Sequence, residues 1–279
     1  KAIAELERIN GRSIKLSLEK SAIMQELNKV DEAIKLLAEV HNPDSANINI
    51  VERLVSMYLE TENFIDANIF NKILLNEFSD SPSGYINAAI ISLNNDMPEK
   101  AIKYIEPVID KYDNNYSALY LLGTSFFQIK DLSNAEKYLK QSLRIYPQSR
   151  TSKHTLAMIY DQTGVWIKSD SLYFDLINSD STDAQAYNNF AYSLVERNEN
   201  LDLALELSLT AIRLSPQSAA YLDTAGWIYY KMKQFDKAVK YIEESLEIDS
   251  SNITIQQHLN EIINNRTELN QSKIQQVEN

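Results

Sequence analysis

The amino-acid sequence predicts an all-α protein, a right-handed α-solenoid of about seven helix–turn–helix units followed by a C-terminal capping helix. The first observation is a period of 34 residues, set by four alanines that each begin a similar segment: Ala33, Ala67, Ala101 and Ala135. A fixed period of this length is typical of stacked supersecondary units. The second observation is the scarcity of helix breakers, since the 279 residues include only five Gly and six Pro. Abundant Leu, Ile, Ala, Glu and Lys also favour helices.

The last full unit shows the helix pair most clearly. Apolar and small residues recur there at steps of three and four, which predicts a first helix with one packed face: Leu222, Ala225, Gly226 and Tyr229. A polar turn at residues 233–236 follows, and a second helix carries Ala238, Ile242, Ser245 and Leu246. Small residues are expected where two closely packed helices cross, because a branched side chain has no room there.

The other units follow the same frame. Counting back in steps of 34 or 35 from Gly226 reaches mostly small residues: Ala191, Ala157, Gly123, Ala89, Val55 and Ser21. We expect Pro147 and Pro216 to mark the end of a unit, because proline cannot continue a helix. The predicted array spans residues 13–250, with units at 13–46, 47–80, 81–114, 115–148, 149–182, 183–217 and 218–250. Residues 1–12 are predicted to form an N-terminal helical extension.

These residues resemble the tetratricopeptide repeat (TPR) family, a 34-residue helix–turn–helix. The resemblance covers residues 13–250 and is carried by the small and aromatic positions, of which the best matches are Leu122, Gly123, Ala135, Leu139, Pro147, Gly226, Tyr229 and Ala238. Val55 and Ser21 replace Gly, and Ser169 replaces Ala. One extra residue within 197–201 lengthens a turn.

A narrower resemblance concerns the C-terminal repeats. The runs at 188–192 and 221–227 look like those of a bacterial group of TPR proteins whose members are often exported or lipid-anchored. This resemblance implies a periplasmic or outer-membrane-associated location, with a leader removed, in preference to the cytoplasm.

Residues 251–279 are predicted to form a C-terminal capping helix. Ile255, Leu259, Ile262 and Ile263 give one apolar side, and the opposite side is rich in Asn, Gln and Glu. A terminal unit of a solenoid needs a polar outer face, so capping is our interpretation. The alternative is an amphipathic helix that binds a partner, and deletion of residues 253–279 separates the two.

Composition argues against several classes of function. The balance of 27 basic against 39 acidic residues gives a net charge of −12, which repels nucleic-acid phosphates and anionic lipids. The chain has no Cys and no apolar run that approaches membrane-spanning length, so no direct membrane insertion by this segment is expected. Its three histidines, His41, His154 and His258, lie far apart and have no partner at metal-ligand spacing. We therefore predict no catalytic residue, no cofactor and no metal, and no enzyme activity.

The family resemblance implies that the first helices line a concave surface, which typically accepts a partner segment. Helical spacing from each small residue predicts the lining of this partner-binding groove: Ile86, Ile90, Leu93, Tyr120, Thr124, Phe127, His154, Met158, Asp161, Asn188, Tyr192, Trp227 and Tyr230. Tyr, Trp and Met are residues that anchor partner side chains. The groove near Glu52, Ser56 and Leu59 is expected to be more polar. The alternative for the aromatic residues is that they pack between neighbouring first helices.

The chain is accordingly predicted to be a non-enzymatic scaffold that binds a protein or peptide segment with apolar side chains. Chaperone-binding TPR proteins clamp a carboxylate with Lys, and no Lys stands at the corresponding positions Glu52, Ile86, Tyr120, His154, Asn188 and Asp223. Two alternatives stay open: a structural protein that self-associates into a homo-oligomer, and an accessory repeat domain of a larger regulator or enzyme.

Overall fold

The protein's structure, a computed structural model, describes the backbone of residues 13–278 and the side chains of residues 13–268. The predicted N-terminal helical extension at residues 1–12 lies outside the described residues. Within them the chain forms fifteen α-helices, one 3-10 helix and no strand, which confirms the all-α prediction. Within the same residues, no helix combines the length and the apolar composition needed to cross a bilayer.

Contacts divide the chain into two compact units, with the division between Gln148 and Ser149. Unit 1 contains α1 (Ile14–Glu26), α2 (Val30–Val40), α3 (Ile48–Glu60), α4 (Phe64–Glu77), α5 (Ser83–Asn94), α6 (Pro98–Ile105), the 3-10 helix (Glu106–Tyr112), α7 (Tyr116–Gln128) and α8 (Leu132–Ile145). Unit 2 contains α9 (Arg150–Gln162), α10 (Trp166–Ser179), α11 (Ala184–Glu196), α12 (Leu201–Leu214), α13 (Ala219–Lys231), α14 (Phe235–Ile248) and α15 (Ile253–Glu278).

The helices pair in order, and within each unit the first helices of successive pairs also touch. In unit 1 the odd-numbered helices α1, α3, α5 and α7 form a continuous row, and in unit 2 the row is α9, α11, α13 and α15. The even-numbered helices within a unit make no such contacts with one another in the described part of the chain. Each unit therefore has one surface built from odd-numbered helices, which we call the first-helix surface.

The periodic small residues lie at the helix crossings. Each second helix of a pair has a fully buried small residue there: Ala33, Ala67, Ala101, Ala135, Ser169, Ala204 and Ala238. Ser169 replaces Ala without a buried unpaired hydroxyl, because its Oγ donates to the Trp166 carbonyl at 2.9 Å. In the last pair, Gly226 is the small residue on the first helix α13, and a Cβ added to it would lie 2.6 Å from Ile242 Cδ1 on α14. The crossing distance is thus set by residues that the 34-residue period already marks.

The turn inside each helix pair has a residue with positive φ at the same repeat position. These residues are Asn28, Glu62, Asp96, Lys130, Gly164, Asn198 and Lys233. In the fourth turn the Lys130 N–H donates to the Phe127 carbonyl and the Asp131 N–H donates to the Phe126 carbonyl, both at 3.0 Å. This pair of bonds closes the end of the first helix in the manner of a Schellman motif. The extra residue predicted within 197–201 is accommodated by a second left-handed residue, Asn200.

The second helix of the third pair departs from the predicted pattern. Helix α6 ends at Ile105, and the chain continues as a 3-10 helix from Glu106 to Tyr112. Pro107 explains this early end, because it has no N–H to donate and its ring clashes with the preceding turn. Pro147 and Pro216 instead follow the ends of α8 and α12 by two residues, as predicted.

Candidate partner-binding surface

In unit 1 the predicted groove residues lie on two adjacent first helices. Helices α5 and α7 pack side by side, and all six side chains are partly exposed: Ile86, Ile90, Leu93, Tyr120, Thr124 and Phe127. The ring of Tyr120 stacks on that of Tyr116, with centroids 5.9 Å apart and planes inclined by 7°. Thr124 Oγ1 is buried and has no hydrogen-bond partner. This part of the first-helix surface therefore presents apolar and aromatic groups to solvent.

The N-terminal end of the same surface is polar. A cavity of about 320 Å³ opens between α1 and α3, and it is lined by Leu18, Asn49, Glu52, Arg53 and Ser56. Glu52 also accepts a hydrogen bond from Ser81 Oγ at 3.3 Å. Charged groups of both signs line this end, which differs from the apolar triplets on α5 and α7.

In unit 2 two of the predicted groove residues, His154 and Asp161, make hydrogen bonds to neighbouring helices of their own chain. His154 is buried, and its Nε2 lies 3.0 Å from Asp183 Oδ2, which Arg150 Nη2 also contacts at 2.9 Å. Asp161 accepts hydrogen bonds from Tyr173 Oη and Ser193 Oγ, both at 2.7 Å. These polar groups bind their own chain and thereby fix α9 against α10 and α11.

The surroundings of Asp183 determine whether its carboxyl group is charged. Burial by itself would raise the pKa of Asp183, but hydrogen bonds from His154, from the Ala186 N–H and from Arg150 lower the pKa below its ordinary value. Asp183 therefore stays ionised in the folded protein. It also serves as the N-cap of α11, where its side chain accepts from the Ala186 N–H.

Of three further predicted residues of unit 2, Met158 and Tyr192 remain available to a partner and Asn188 is buried. Met158 is partly exposed, and Tyr192 is 42% exposed. Asn188 is 7% exposed, and its Oδ1 is buried with no hydrogen-bond partner. Burial raises the pKa of Tyr192, and the neighbouring carboxylates Glu196 and Asp223 raise it further, so its hydroxyl stays a donor.

Trp227 and Tyr230 are covered by the chain's own C-terminal helix. Trp227 is 6% exposed: its ring stacks on His258 of α15 with centroids 4.2 Å apart, and its Nε1 donates to Glu196 at 3.0 Å. The Tyr230 hydroxyl donates to Glu261 at 2.9 Å. Burial and this hydrogen bond raise the pKa of Tyr230 to about 12. Both residues lie on the first-helix surface, but α15 packs against them and thereby restricts the access of a partner.

Sequence reasoning missed the roles of Asp183 and His258. His258 pairs with Asp223 at 2.8 Å, and the two residues are 35 positions apart. One more repeat step from Asp223 therefore reaches His258, so α15 continues the row of first helices. The repeat period continues past residue 250, the predicted end of the array, and this continuation is the sequence signal that identifies His258. In the described residues no group of three His, Cys, Asp or Glu side chains is placed to hold a metal ion.

Comparisons with known proteins agree with the helix pairs. Two models of the tetratricopeptide repeat family match residues 89–150 and residues 219–252. A TPR repeat-containing protein of Pseudomonas aeruginosa is 26% identical over 130 residues, which are 46% of this chain and 22% of that protein. The type IV pilus assembly protein PilF of the same organism is 28% identical over 140 residues, which are 49% of this chain and 55% of PilF. The chain thus matches about half or less of the length of these relatives.

Solved structures show the same fold. A tetratricopeptide repeat protein from Parabacteroides merdae has a TM-score of 0.67 and 17% identity, and the match covers 89% of this chain and 98% of that protein. YrrB, described as a TPR protein with an unusual peptide-binding site, has a TM-score of 0.51 and 17% identity over 70% of this chain and 96% of that one. These matches confirm the predicted α-solenoid fold, which typically serves as a non-enzymatic scaffold for protein–protein interaction. Residues 89–150 and 219–252 thus match tetratricopeptide repeats, and the chain resembles bacterial proteins that contain them.

Proposed function

We propose that this protein is a scaffold that binds an apolar segment of another protein on its first-helix surfaces, without catalysing a reaction. The observation that carries the proposal is the pair of residue triplets on α5 and α7 in unit 1, in which every residue except Thr124 is aliphatic or aromatic. Their side chains are partly exposed on adjacent helices, and Tyr120 and Phe127 provide the aromatic groups that dominate binding in many interfaces.

Unit 2 offers a second set of exposed apolar side chains on its own first-helix surface. The exposed ring of Tyr192 and the partly exposed side chain of Met158 supply apolar area. Trp227 and Tyr230, which the sequence also predicted as groove residues, contribute to this surface only indirectly, because they hold α15 in place.

A non-catalytic role is supported by how the carboxylates of this surface are used. Asp161 and Asp183 each accept hydrogen bonds from residues of their own chain, and Asp223 contacts His258. A general acid or base needs a group within reach of a substrate proton, and these three are committed to internal contacts.

The proposed location is the periplasm or outer membrane of a bacterium. Support comes from the Pseudomonas relatives, one of which is a type IV pilus assembly protein. Cell fractionation of a strain that expresses the full-length protein tests the location. Recovery in the cytosolic fraction alone contradicts it.

The binding surface is tested with peptides selected from a random library against the intact protein. We expect selected peptides to carry apolar side chains, and we expect Tyr120→Ala and Phe127→Ala each to weaken their binding by roughly 1–4 kcal/mol. Tyr104→Ala is the matched control, because Tyr104 is partly exposed on the second helix α6. Fluorescence anisotropy gives the Kd of each variant. Unchanged affinity in both first-helix variants, with the thermal unfolding midpoint retained, contradicts the proposal.

A further inference from the structure

A second apolar surface lies on unit 1 away from the first-helix row. Three large side chains are unusually exposed there: Ile65 by 78%, Ile69 by 53% and Met97 by 48%. Together with Phe64, Ile91 and Lys100 they line a cavity of about 350 Å³ between α4 and the segment that joins α5 to α6. We call this surface the α4 patch.

The repeat register shows that folding does not require isoleucine at the centre of the patch. Ile65 is the second residue of its helix, and the same position in the other pairs holds Asp31, Glu99, Ser133, Ile167, Asp202 and Asp236. An acidic residue in the first turn interacts favourably with the positive end of the helix dipole, whereas an exposed isoleucine gains nothing there. Ile69 lies one turn further, where the fifth pair has Ser171. Two apolar residues one turn apart are thus placed where most other pairs have polar ones, with Ile167 of the fifth pair as the exception at the first position.

Two exposed carboxylates adjoin the lining of the α4 patch along the chain. Asp96 lies between two lining residues, Asn95 and Met97, and Glu99 directly precedes Lys100. Both carboxylates are exposed, and among the described residues neither has an ion-pair partner. Lys100 is the one cationic side chain in the lining. Unpaired carboxylates beside an apolar centre favour a partner that carries positive charge next to apolar groups.

We propose that the α4 patch binds a cationic amphipathic segment of another protein. Its apolar side chains would enter the cavity against Ile65, Ile69 and Met97, and its Lys or Arg residues would pair with Asp96 and Glu99. Charge selects this occupant over a second copy of the chain, because two molecules of net charge −12 repel each other at low ionic strength. Anionic lipid surfaces are disfavoured for the same reason.

The test uses a synthetic amphipathic helix of Leu and Lys as the probe, and its Leu and Glu counterpart as the charge control. The protein variant is Ile65→Asp combined with Ile69→Ser, since other pairs have Asp and Ser at these positions and fold. The variant is more acidic than the native chain. A weaker interaction with the cationic probe must therefore come from lost apolar contact rather than from lost attraction.

We expect the double variant to bind the Leu and Lys probe roughly tenfold or more weakly than the native chain, measured by fluorescence anisotropy. Ile253→Asp is the matched control, because Ile253 is 68% exposed at the start of α15, and it should bind as the native chain does. Weakening by Tyr120→Ala together with unchanged affinity of the double variant would place the probe on the first-helix surface instead and would overturn the proposal.

Four results overturn the proposal. They are no binding of the probe by the native chain, equal binding of the Leu and Glu peptide, unchanged affinity of the double variant, and equal weakening by Ile253→Asp. Analytical ultracentrifugation of the native chain alone shows whether it forms a dimer. A dimer that the double variant abolishes would assign the α4 patch to self-association instead.

Discussion

At the scale of single residues, the helix pairs depend on small side chains at the crossings. Gly226 shows the limit, because an added Cβ would lie 2.6 Å from Ile242 Cδ1 and 3.2 Å from the Ala238 carbonyl oxygen. Ile242 is fully buried, and its Cγ1 would also lie only 2.7 Å from the added Cβ, so more than the tip of the side chain would have to shift. At position 226 the steric contact therefore favours Gly, whereas helix propensity favours Ala.

We predict that Gly226→Ala lowers the thermal unfolding midpoint. Overpacking of a filled core costs about 1–3 kcal/mol, which exceeds the gain of about 1 kcal/mol in helix propensity. Ile242→Val removes the Cδ1 atom that the new methyl group would meet. The double variant should therefore be more stable than the sum of the two single effects, as measured in a double-mutant cycle. A higher midpoint for Gly226→Ala would show that the crossing has spare room.

Asp183 gives the residue-scale prediction for pH. Burial favours the neutral acid, but the hydrogen bonds to His154, the Ala186 N–H and Arg150 dominate, so the folded-state pKa is below the unfolded value. Its contribution to stability is present above the unfolded pKa and is lost as the pH falls through the folded pKa, which places the loss below about pH 4.

The corresponding variant is Asp183→Asn, which keeps the shape but removes the charge. We expect a lower unfolding midpoint at neutral pH and a smaller further decrease under acidic conditions than in the native chain. Asp202→Asn, at an exposed position, should behave as the native chain does. Parallel acid dependence of Asp183→Asn and the native chain would show that Asp183 is not a source of acid sensitivity.

At the scale of elements, the turns and the last helix explain how the units are completed. Seven of the eight residues with positive φ in the turns of the helix pairs are not glycine, so the Schellman-type bonds and the packing of the flanking helices hold the turn. Helix α15 completes unit 2 through Ile255 and Ile262, which pack with Tyr229 and Ile242 in one buried cluster. Ile253 and Ile263 stay exposed, so the buried apolar side of α15 is narrower than its sequence predicts.

We predict that a chain ending at Asn252 is less stable or insoluble, because it exposes Trp227, Tyr229 and Ile242. The milder variant His258→Ala keeps the helix but removes the stacking on Trp227 and leaves Asp223 without its partner. It should lower the unfolding midpoint of a chain that remains folded. A truncated chain with native stability that has lost a partner would instead favour the partner-binding interpretation of α15.

At the scale of the whole molecule, the periodic sequence and the excess of acidic residues act separately. The period determines which helices pair, because each pair in a solenoid contacts only its neighbours. The net charge of −12 does not determine the fold, but it selects among partners by disfavouring anionic ones. The division into two compact units between Gln148 and Ser149 is not visible as a change in the period.

The sequence by itself determined the helix pairs, the small crossing residues and the polar turns, because these depend on local spacing and nearest-neighbour packing. It also placed the first-helix residues at the right repeat positions. The tertiary structure alone decided which of them remain open, since His154 and Asp161 are engaged by neighbouring helices and Trp227 is covered by α15. It also showed that Ile65 and Ile69 are exposed. Spacing along one helix identifies a face, whereas the exposure of that face depends on every element packed against it.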